Sequence, residues 1–293
     1  MSCNKLSVLV VGADGMIGRA LLDRLKLSRA PVIGTTRRSG PLDENYIYLD
    51  LLQPEKSWKI PDSIGVAVIC AGNRKVDECH HDPEETARVN VEGRYRLIKV
   101  LVKKKIFVIY ISTSAVFDGK VPKRMHYESL SPVTEYGRQN AEVERKIIQW
   151  EDSIAILRVT KCLGPNFVLL DKWAKALKQN KAIHPFKAMS MAPVSLQCIV
   201  SVLQLLSEVR YPGIWQLSGS RDISYVEVAR IGADFLQANQ KLIQPISAPY
   251  SRHNTESLNM NRIRSFLGVE SPNVVWLIKK VFEDLTSLQN NRE

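Results

Sequence analysis

Two groups of residues in this chain have the types and spacing for chemistry. Ser112, Thr113 and Ser114 close FVIYIS, an apolar run rich in β-branched and aromatic residues, which predicts a buried strand over 107–112. A polar loop with Gly119, Pro122 and Pro132 follows, and then Tyr136-Gly137-Arg138-Gln139-Asn140 enters a helix. Hydroxyls at a strand's C-terminal end, facing a tyrosine at a helix start, would form a proton-transfer site at the mouth of a parallel sheet. The same residues also fit a hydroxyl-rich strand end beside a half-buried tyrosine, and alone they do not separate the two readings.

The second group is GADGMIG over 12–18, which follows the apolar run 8–11. After it Ile17, Leu21 and Leu25 recur every four residues with Ala20 on the same face, the pattern of an amphipathic helix. Strand, glycine turn and helix in that order explain the spacing. Gly12 makes the sharp turn, Gly15 lets a pyrophosphate approach the backbone, and Gly18 lets helix and strand pack closely. The helix N-terminus then offers its N–H groups to the phosphates, so dinucleotide binding is expected, with Asp14, Met16 and Ile17 lying between the glycines. A strand over 32–36 ends in Thr35-Thr36-Arg37-Arg38 with no Asp or Glu between 32 and 41. An acidic residue there would hold the ribose 2′-hydroxyl of NAD, whereas arginine suits the 2′-phosphate of NADP, so NADP(H) is favoured over NAD(H).

These groups need a parallel sheet to position them, and the rest of the chain has the pattern for one. Strands are expected at 46–49, closing with Asp50-Leu51 where an adenine edge could be contacted, and at 66–70, ending in Ala71-Gly72-Asn73. Small residues at that second end leave room for a cofactor to cross. A helix over about 83–103 carries Asn90, Leu97, Ile98 and Leu101, and the helix from Tyr136 runs to about 150, before a sixth strand at 154–158. Alternating strands and helices predict an α/β fold, a Rossmann-type doubly wound parallel sheet with right-handed crossovers. Gly164-Pro165 marks a linker. Beyond it, helices near 168–179, 196–209, 225–238, 261–267 and 273–288, with 213–217 returning to the sheet, predict a smaller, mostly helical C-terminal substrate lobe. The expected division is 1–165 plus about 195–222 for the dinucleotide-binding domain, and about 166–194 plus 223–293 for the lobe.

Composition narrows the partners. The excess of 41 basic over 30 acidic residues, a net charge of +11, favours anionic ligands. The densest basic run, Lys103-Lys104-Lys105, falls at an expected helix end, where cations oppose the helix dipole. No zinc-finger spacing, aromatic RNA-binding motif or basic heptad helix appears, so nucleic acid is not expected. Cys3, Cys70, Cys79, Cys162 and Cys198 are odd in number and scattered, which predicts free thiols. His80 and His81 are adjacent and so poorly placed to converge on one metal ion; no metal is expected. Lys5 precedes an apolar run that leads straight into the glycine turn, with no cleavage site, and no stretch approaches the roughly 18–20 apolar residues of a membrane span. A cytoplasmic protein is expected.

GADGMIG, AGNRKVDECHHDPEETARVN (71–90), ISTSAVFDG (111–119) and YGRQN (136–140) resemble the extended short-chain dehydrogenases. Within them the pattern is similar to the dTDP-4-dehydrorhamnose reductases and to the related regulatory β subunit of methionine adenosyltransferase. The likeness continues through ILRVTKCLGPNF, GIWQLSG, SYVEVA and NTESLNMNRIRSFLG, and so covers nearly the whole chain. The resemblance implies that Thr113 polarises a substrate carbonyl and that Tyr136 protonates it as hydride arrives from the nicotinamide. It places Asn90 on a helix beside the site and implies a nucleotide-linked sugar as the anionic substrate.

The chain departs from that family at one position. The resemblance implies a lysine four residues after the tyrosine, and Asn140 stands there. A cation one helical turn away lies on the tyrosine's face and favours its ionised form, by roughly 4 kcal/mol for charges about 4 Å apart at an effective dielectric of about 20. Asn140 would keep a donor for the ribose hydroxyls while proton transfer weakens, and reduction would suffer less than oxidation. Lys161 and then Arg74 are the candidates for a compensating cation. Two readings follow: an NADP(H)-dependent reductase, or a cofactor-binding regulatory partner of another enzyme. An epimerase or dehydratase fits less well, because such enzymes oxidise first and depend most on a phenolate base.

Overall fold

The central strands are unbroken apolar runs, and each is buried on both faces, as a parallel sheet between helices requires. The computed structural model describes residues 7–38, 43–164, 167–247 and 255–290. In chain order the strands are β1 (Ser7–Val11), β2 (Val32–Thr36), β3 (Tyr46–Tyr48), β4 (Ile64–Ile69), β5 (Phe107–Thr113), β6 (Ile154–Val159), β7 (Cys162–Leu163), β8 (Ser190–Met191), β9 (Val194–Ser195), β10 (Gly213–Leu217) and β11 (Ile223–Ser224). The α-helices are α1 (Met16–Leu27), α2 (Val76–His81), α3 (Pro83–Ala87), α4 (Arg94–Lys103), α5 (Glu135–Ile147), α6 (Val168–Lys178), α7 (Leu196–Val209), α8 (Tyr225–Phe235), α9 (Asn261–Leu267) and α10 (Val274–Asn290). Seven strands make one sheet in the order β10-β6-β5-β4-β1-β2-β3, and β1 pairs in parallel with both β2 and β4. The chain therefore winds outward from β1 in one direction through β2 and β3, then returns and winds the other way from β4. That reversal puts the topological switch point between β1 and β4, where open α/β sheets bind their ligands.

The described residues divide into two units. One takes in those up to Phe117, Ser129–Arg158 and Gln197–Trp215. Its core brings Leu9, Val11, Ala67 and Ile69 of the sheet together with Leu97, Ile98, Leu101, Val143 and Ile147 of the helices. Each Leu or Ile buried this completely contributes about 1.5–3 kcal/mol. The other unit takes in Asp118–Glu128, Val159–Leu196 and the described residues from Gln216 onward. It has its own core, in which Trp173, Tyr225 and Phe282 are the large side chains. No helix among the described residues is long and apolar enough to cross a membrane.

Several local expectations differ from the structure. The expected helix over 83–103 is three pieces: α3, a π-helical stretch Arg88–Gly93, and α4. The segment that bears His80 and His81, for which no helix is expected from the sequence, is the helix α2, with Asp77 and Glu78 in its first turn and the histidines in its last. Its charges run with the helix dipole, and it has too few apolar residues to announce itself by periodicity. Pro165, the punctuation expected in the linker, lies outside the described residues, as do Cys3, Lys5 and Asn254.

Candidate functional site

The glycine turn meets the end of β4. Gly12 has φ +84, a conformation that favours glycine, and a Cβ there would lie 2.8 Å from Ala71 Cα. A Cβ on Gly18 would lie 2.3 Å from Gly12 O, so α1 crosses close against β1, whereas one on Gly15 would meet only Gly12 O, at 3.4 Å. Gly15 caps α1 without a side-chain hydrogen bond, which leaves the first-turn N–H groups to a ligand's phosphates. The turn is fixed by Thr35, whose hydroxyl accepts from Gly12 N at 3.0 Å, and by Thr36, whose hydroxyl donates to Asp14 at 2.6 Å. Met16 and Ile17 open α1. Arg37 and Arg38 are both exposed at the end of β2, and Arg38 reaches Asp14 at 3.4 Å.

Thr113 and Tyr136 come together. Thr113 ends β5 and its hydroxyl is hydrogen-bonded to Tyr136. The sequence makes this possible at Gly137, where a Cβ would fall 2.1 Å from Ala115 O, so α5 starts in direct contact with the turn after Thr113. Thr134 caps α5 by accepting from Gly137 N at 3.1 Å. Burial pushes the Tyr136 phenol up, and two cations oppose this, Arg94 first and Arg74 more weakly.

The other expected residues take other roles. Ser112, grouped with Thr113 by sequence, points to the opposite side of β5 and bonds the Glu144 carboxylate in the core. Strand alternation puts it on the Tyr110 face. Asn90 is fully buried: its amide donates to Asn73 O and Gln139 Oε1, both at 2.8 Å, and its Oδ1 accepts from Asn73 N at 2.7 Å. The Asn73 side chain braces α2 through Glu78 and the Lys75 N–H. Asp50 accepts from Leu52 N at 3.0 Å, and Leu51 is a core residue whose carbonyl accepts from Arg96.

Asn140, expected to face the ribose, is only 1% exposed. Its amide donates to Tyr136 O at 2.7 Å, and its Oδ1 accepts from Tyr110 Oη at 3.0 Å and from Arg94 Nη1 at 3.2 Å. Lys161 belongs to the second unit, where it stands over the Phe167 ring and acts on the Glu256 carboxyl.

Arg94 is the functional candidate that sequence reasoning missed. It is 6% exposed, its Nε donates to Ala71 O at 2.7 Å and its Nη1 reaches Tyr110 Oη at 3.3 Å. A Cβ on Gly72 would lie 1.6 Å from Arg94 Nη2, so the guanidinium runs across the backbone at the end of β4. A signal was present: positions 90, 94, 97, 98 and 101 form one helical face, on which Leu97, Ile98 and Leu101 are apolar.

The family described as the RmlD substrate binding domain matches residues 6–286. The chain belongs to that family. Within reach of the RmlD pattern, the chain is similar to methionine adenosyltransferase 2 subunit beta of Xenopus laevis, 27% identical over 256 residues, covering 82% of this chain and 75% of that protein. It is also similar to dTDP-4-dehydrorhamnose reductase of Aggregatibacter actinomycetemcomitans, 27% identical over 236 residues, covering 76% of each chain. Among solved structures, a dTDP-4-dehydrorhamnose reductase from Bacillus anthracis, in complex with NADP, superposes with a TM-score of 0.83 at 17% identity, covering 96% of this chain and 98% of that one. That likeness bears out the Rossmann-type parallel sheet expected from the alternation of strands and helices.

Proposed function

We propose that this chain is an NADP(H)-dependent reductase of a keto group on a nucleotide-linked sugar. The observation that carries the reading is the hydrogen-bonded pair Thr113–Tyr136 at the C-terminal end of β5, in the same unit as the glycine turn. The residues present fit the cofactor: the turn lacks side chains where a pyrophosphate needs backbone, and α1 begins without a side-chain cap. Gly12, Gly15 and the first turn of α1 would hold the phosphates, with Asp14 bracing the turn through Thr36 and Arg38, while Ala71 packs against Gly12 and Gly72 makes room for the Arg94 guanidinium beside them. Arg37 and Arg38 suit a 2′-phosphate, and no acidic residue stands among residues 32–38 to take a bare 2′-hydroxyl. The reduced nicotinamide supplies the hydride when bound. Thr113 orients the substrate carbonyl, and Tyr136 donates the proton that its oxygen takes up. A phenol held protonated by burial suits a donor in reduction better than a base in oxidation.

The test is NADPH oxidation with 4-keto nucleotide sugars by wild type and Tyr136→Phe. The variant is expected to lose activity by about 10²–10⁴-fold. Equal rates would remove Tyr136 from the chemistry.

The similarity to methionine adenosyltransferase 2 subunit beta and the burial of Asn140 favour a second reading, a cofactor-binding subunit of another enzyme. NADPH binding without turnover of any 4-keto nucleotide sugar, together with a stable complex with the rest of a methionine adenosyltransferase 2, would select it.

A further inference from the structure

Arg94 is a buried cation that no carboxylate among the described residues holds in an ion pair. Its hydrogen-bond partners, Ala71 O, Tyr110 Oη and Asn140 Oδ1, are all neutral. The other buried arginine nearby, Arg158, is paired with Glu144 at 2.7 Å. Taking a guanidinium out of water without a counter-ion costs several kcal/mol, and the surrounding fold is built to keep it there. The π-helical stretch Arg88–Gly93 ends on the residue before it and sets the phase at which Asn90 and Arg94 both turn inward. Gly72 has φ +154 and no Cβ, which leaves the guanidinium its path. Asn140 offers its carbonyl oxygen to Arg94 and its amide to Tyr136 O, so one side chain ties the cation to the turn of α5 that bears the tyrosine.

We propose that Arg94, anchored by Asn140, is the positioning residue that supplies the fixed positive charge for the Tyr136 hydroxyl, so that side chains from α4 and α5 together do what a single cation one turn after the tyrosine would do. This rests on the reading of Tyr136 as the proton donor. As the carbonyl carbon receives hydride from the reduced nicotinamide, the carbonyl oxygen takes the Tyr136 proton and an alcohol results. The phenol oxygen is then left negative until solvent reprotonates it. A buried cation without a carboxylate partner favours that anion; a cation already neutralised by a carboxylate would do so far less. The groups acting on Tyr136 are consistent with this: Arg94 is the leading cation, Thr113 of β5 contributes a hydrogen bond, Cys79 of α2 opposes ionisation, and Arg74 in the loop after β4 adds a weaker positive charge.

Asn140 thereby acquires a reason. An ammonium at position 140 would stand beside the Arg94 guanidinium, and like charges at that separation repel in a buried site. An asparagine accepts from the guanidinium instead.

The experiment is a tyrosinate absorbance titration of the full chain, with the Tyr136→Phe curve subtracted to isolate Tyr136, beside the pH profile of NADPH-dependent reduction. Three variants are compared with the wild type: Arg94→Met, Arg94→Lys and the double variant Arg94→Met/Asn140→Lys, which moves the charge from α4 to α5. Arg94→Met is expected to move the Tyr136 titration upward and to slow reduction by about tenfold or more. Arg94→Lys should keep most of the effect, and the double variant should bring the titration back down. A Tyr136 titration unchanged in Arg94→Met, or one that the double variant fails to restore, overturns the proposal. Should Arg94→Met not fold, Arg94→Lys and the double variant still decide it, because each retains a buried cation. If the titration behaves as stated while Tyr136→Phe reduces as fast as wild type, the charge assignment stands and the reductase reading fails.

Discussion

Helix α5 presses two polar clusters against β5, one turn apart, and they differ in charge balance. At one turn Asn140 meets Tyr110 and Arg94, a cation among neutral acceptors. At the next, Glu144 meets Ser112 and Arg158, a cation and an anion joined by hydrogen bonds at 2.7–3.2 Å, with residue exposures of 3% and 2%. In the second cluster the guanidinium's charge is balanced by a carboxylate at hydrogen-bond distance. The first retains a full positive charge that acts on Tyr136 and Tyr110. Two buried arginines thus differ in what they can do, and the difference lies in whether a carboxylate faces them.

Breaking the balanced cluster should give the largest effect on stability. Arg158→Met leaves the Glu144 carboxylate buried without its cation and should cost about 3–5 kcal/mol in urea unfolding, whereas Arg158→Met with Glu144→Leu should recover most of it. A single variant as stable as wild type would mean that the pair does not hold the fold.

The unbalanced cluster is better probed through its geometry. Gly137→Ala places a methyl 2.1 Å from Ala115 O, and α5 must shift to admit it. Overpacking of this kind costs about 1–3 kcal/mol. The Thr113–Tyr136 hydrogen bond should weaken with it, so reduction should slow even at temperatures where the variant stays folded. Stability and rate that both match wild type would show that the close start of α5 is not what positions the tyrosine.

A second carboxyl, in the other unit, sharpens the comparison. Burial raises Glu256 from an ordinary 4.5 to about 7; Lys161 pulls against this and Asp222 adds to it. Its folded-state value lies above its unfolded one, so the stability it contributes is fully present below pH 4.5 and is lost as the pH rises through 7. Unfolding in urea at pH 5 and pH 8 should show wild type weaker at pH 8 by about 1–2 kcal/mol, and Glu256→Gln should narrow that gap. An unchanged gap in the variant would assign the pH dependence to other groups.

The framework was legible in the sequence wherever one local rule decided the outcome. The glycine turn, the all-buried runs of β4 and β6, and helices such as α7 and α9 follow from periodicity and turn chemistry, and the structure has them where those rules put them. The pairing of Thr113 with Tyr136 was legible from their place at a strand end and a helix start. The surroundings of the tyrosine were not. The attention drawn by Asn140 went to nearby charges in loops, Lys161 and Arg74, while the leading cation lay within the helix expected over 83–103. Arg94 looks like one basic residue among many in RYRLIKVLVKKK, and only its phase relative to Asn90 and Leu97 distinguishes it from its exposed neighbours. Ser112 went astray for the complementary reason: adjacency in sequence suggested a shared role with Thr113, and the twofold alternation of a strand denies it.

The π-helical stretch before α4 has a consequence for how such a site can change over generations. A π turn carries one residue more than the α-helix it interrupts, and each helical residue turns the chain by about 100°. Deleting a single codon between Asn90 and Arg94 would let the helix close up as continuous α and bring the two residues three positions apart, so that Arg94 would stand at a different angle around the axis from Asn90. The loop brace and the buried cation would then meet the sheet at a changed angle. Inserting that codon again would restore both. An in-frame change of one residue, well away from Tyr136 in sequence, can therefore separate two lineages of this fold in how their tyrosine is charged, with every glycine, hydroxyl and tyrosine of the recognisable motifs left intact.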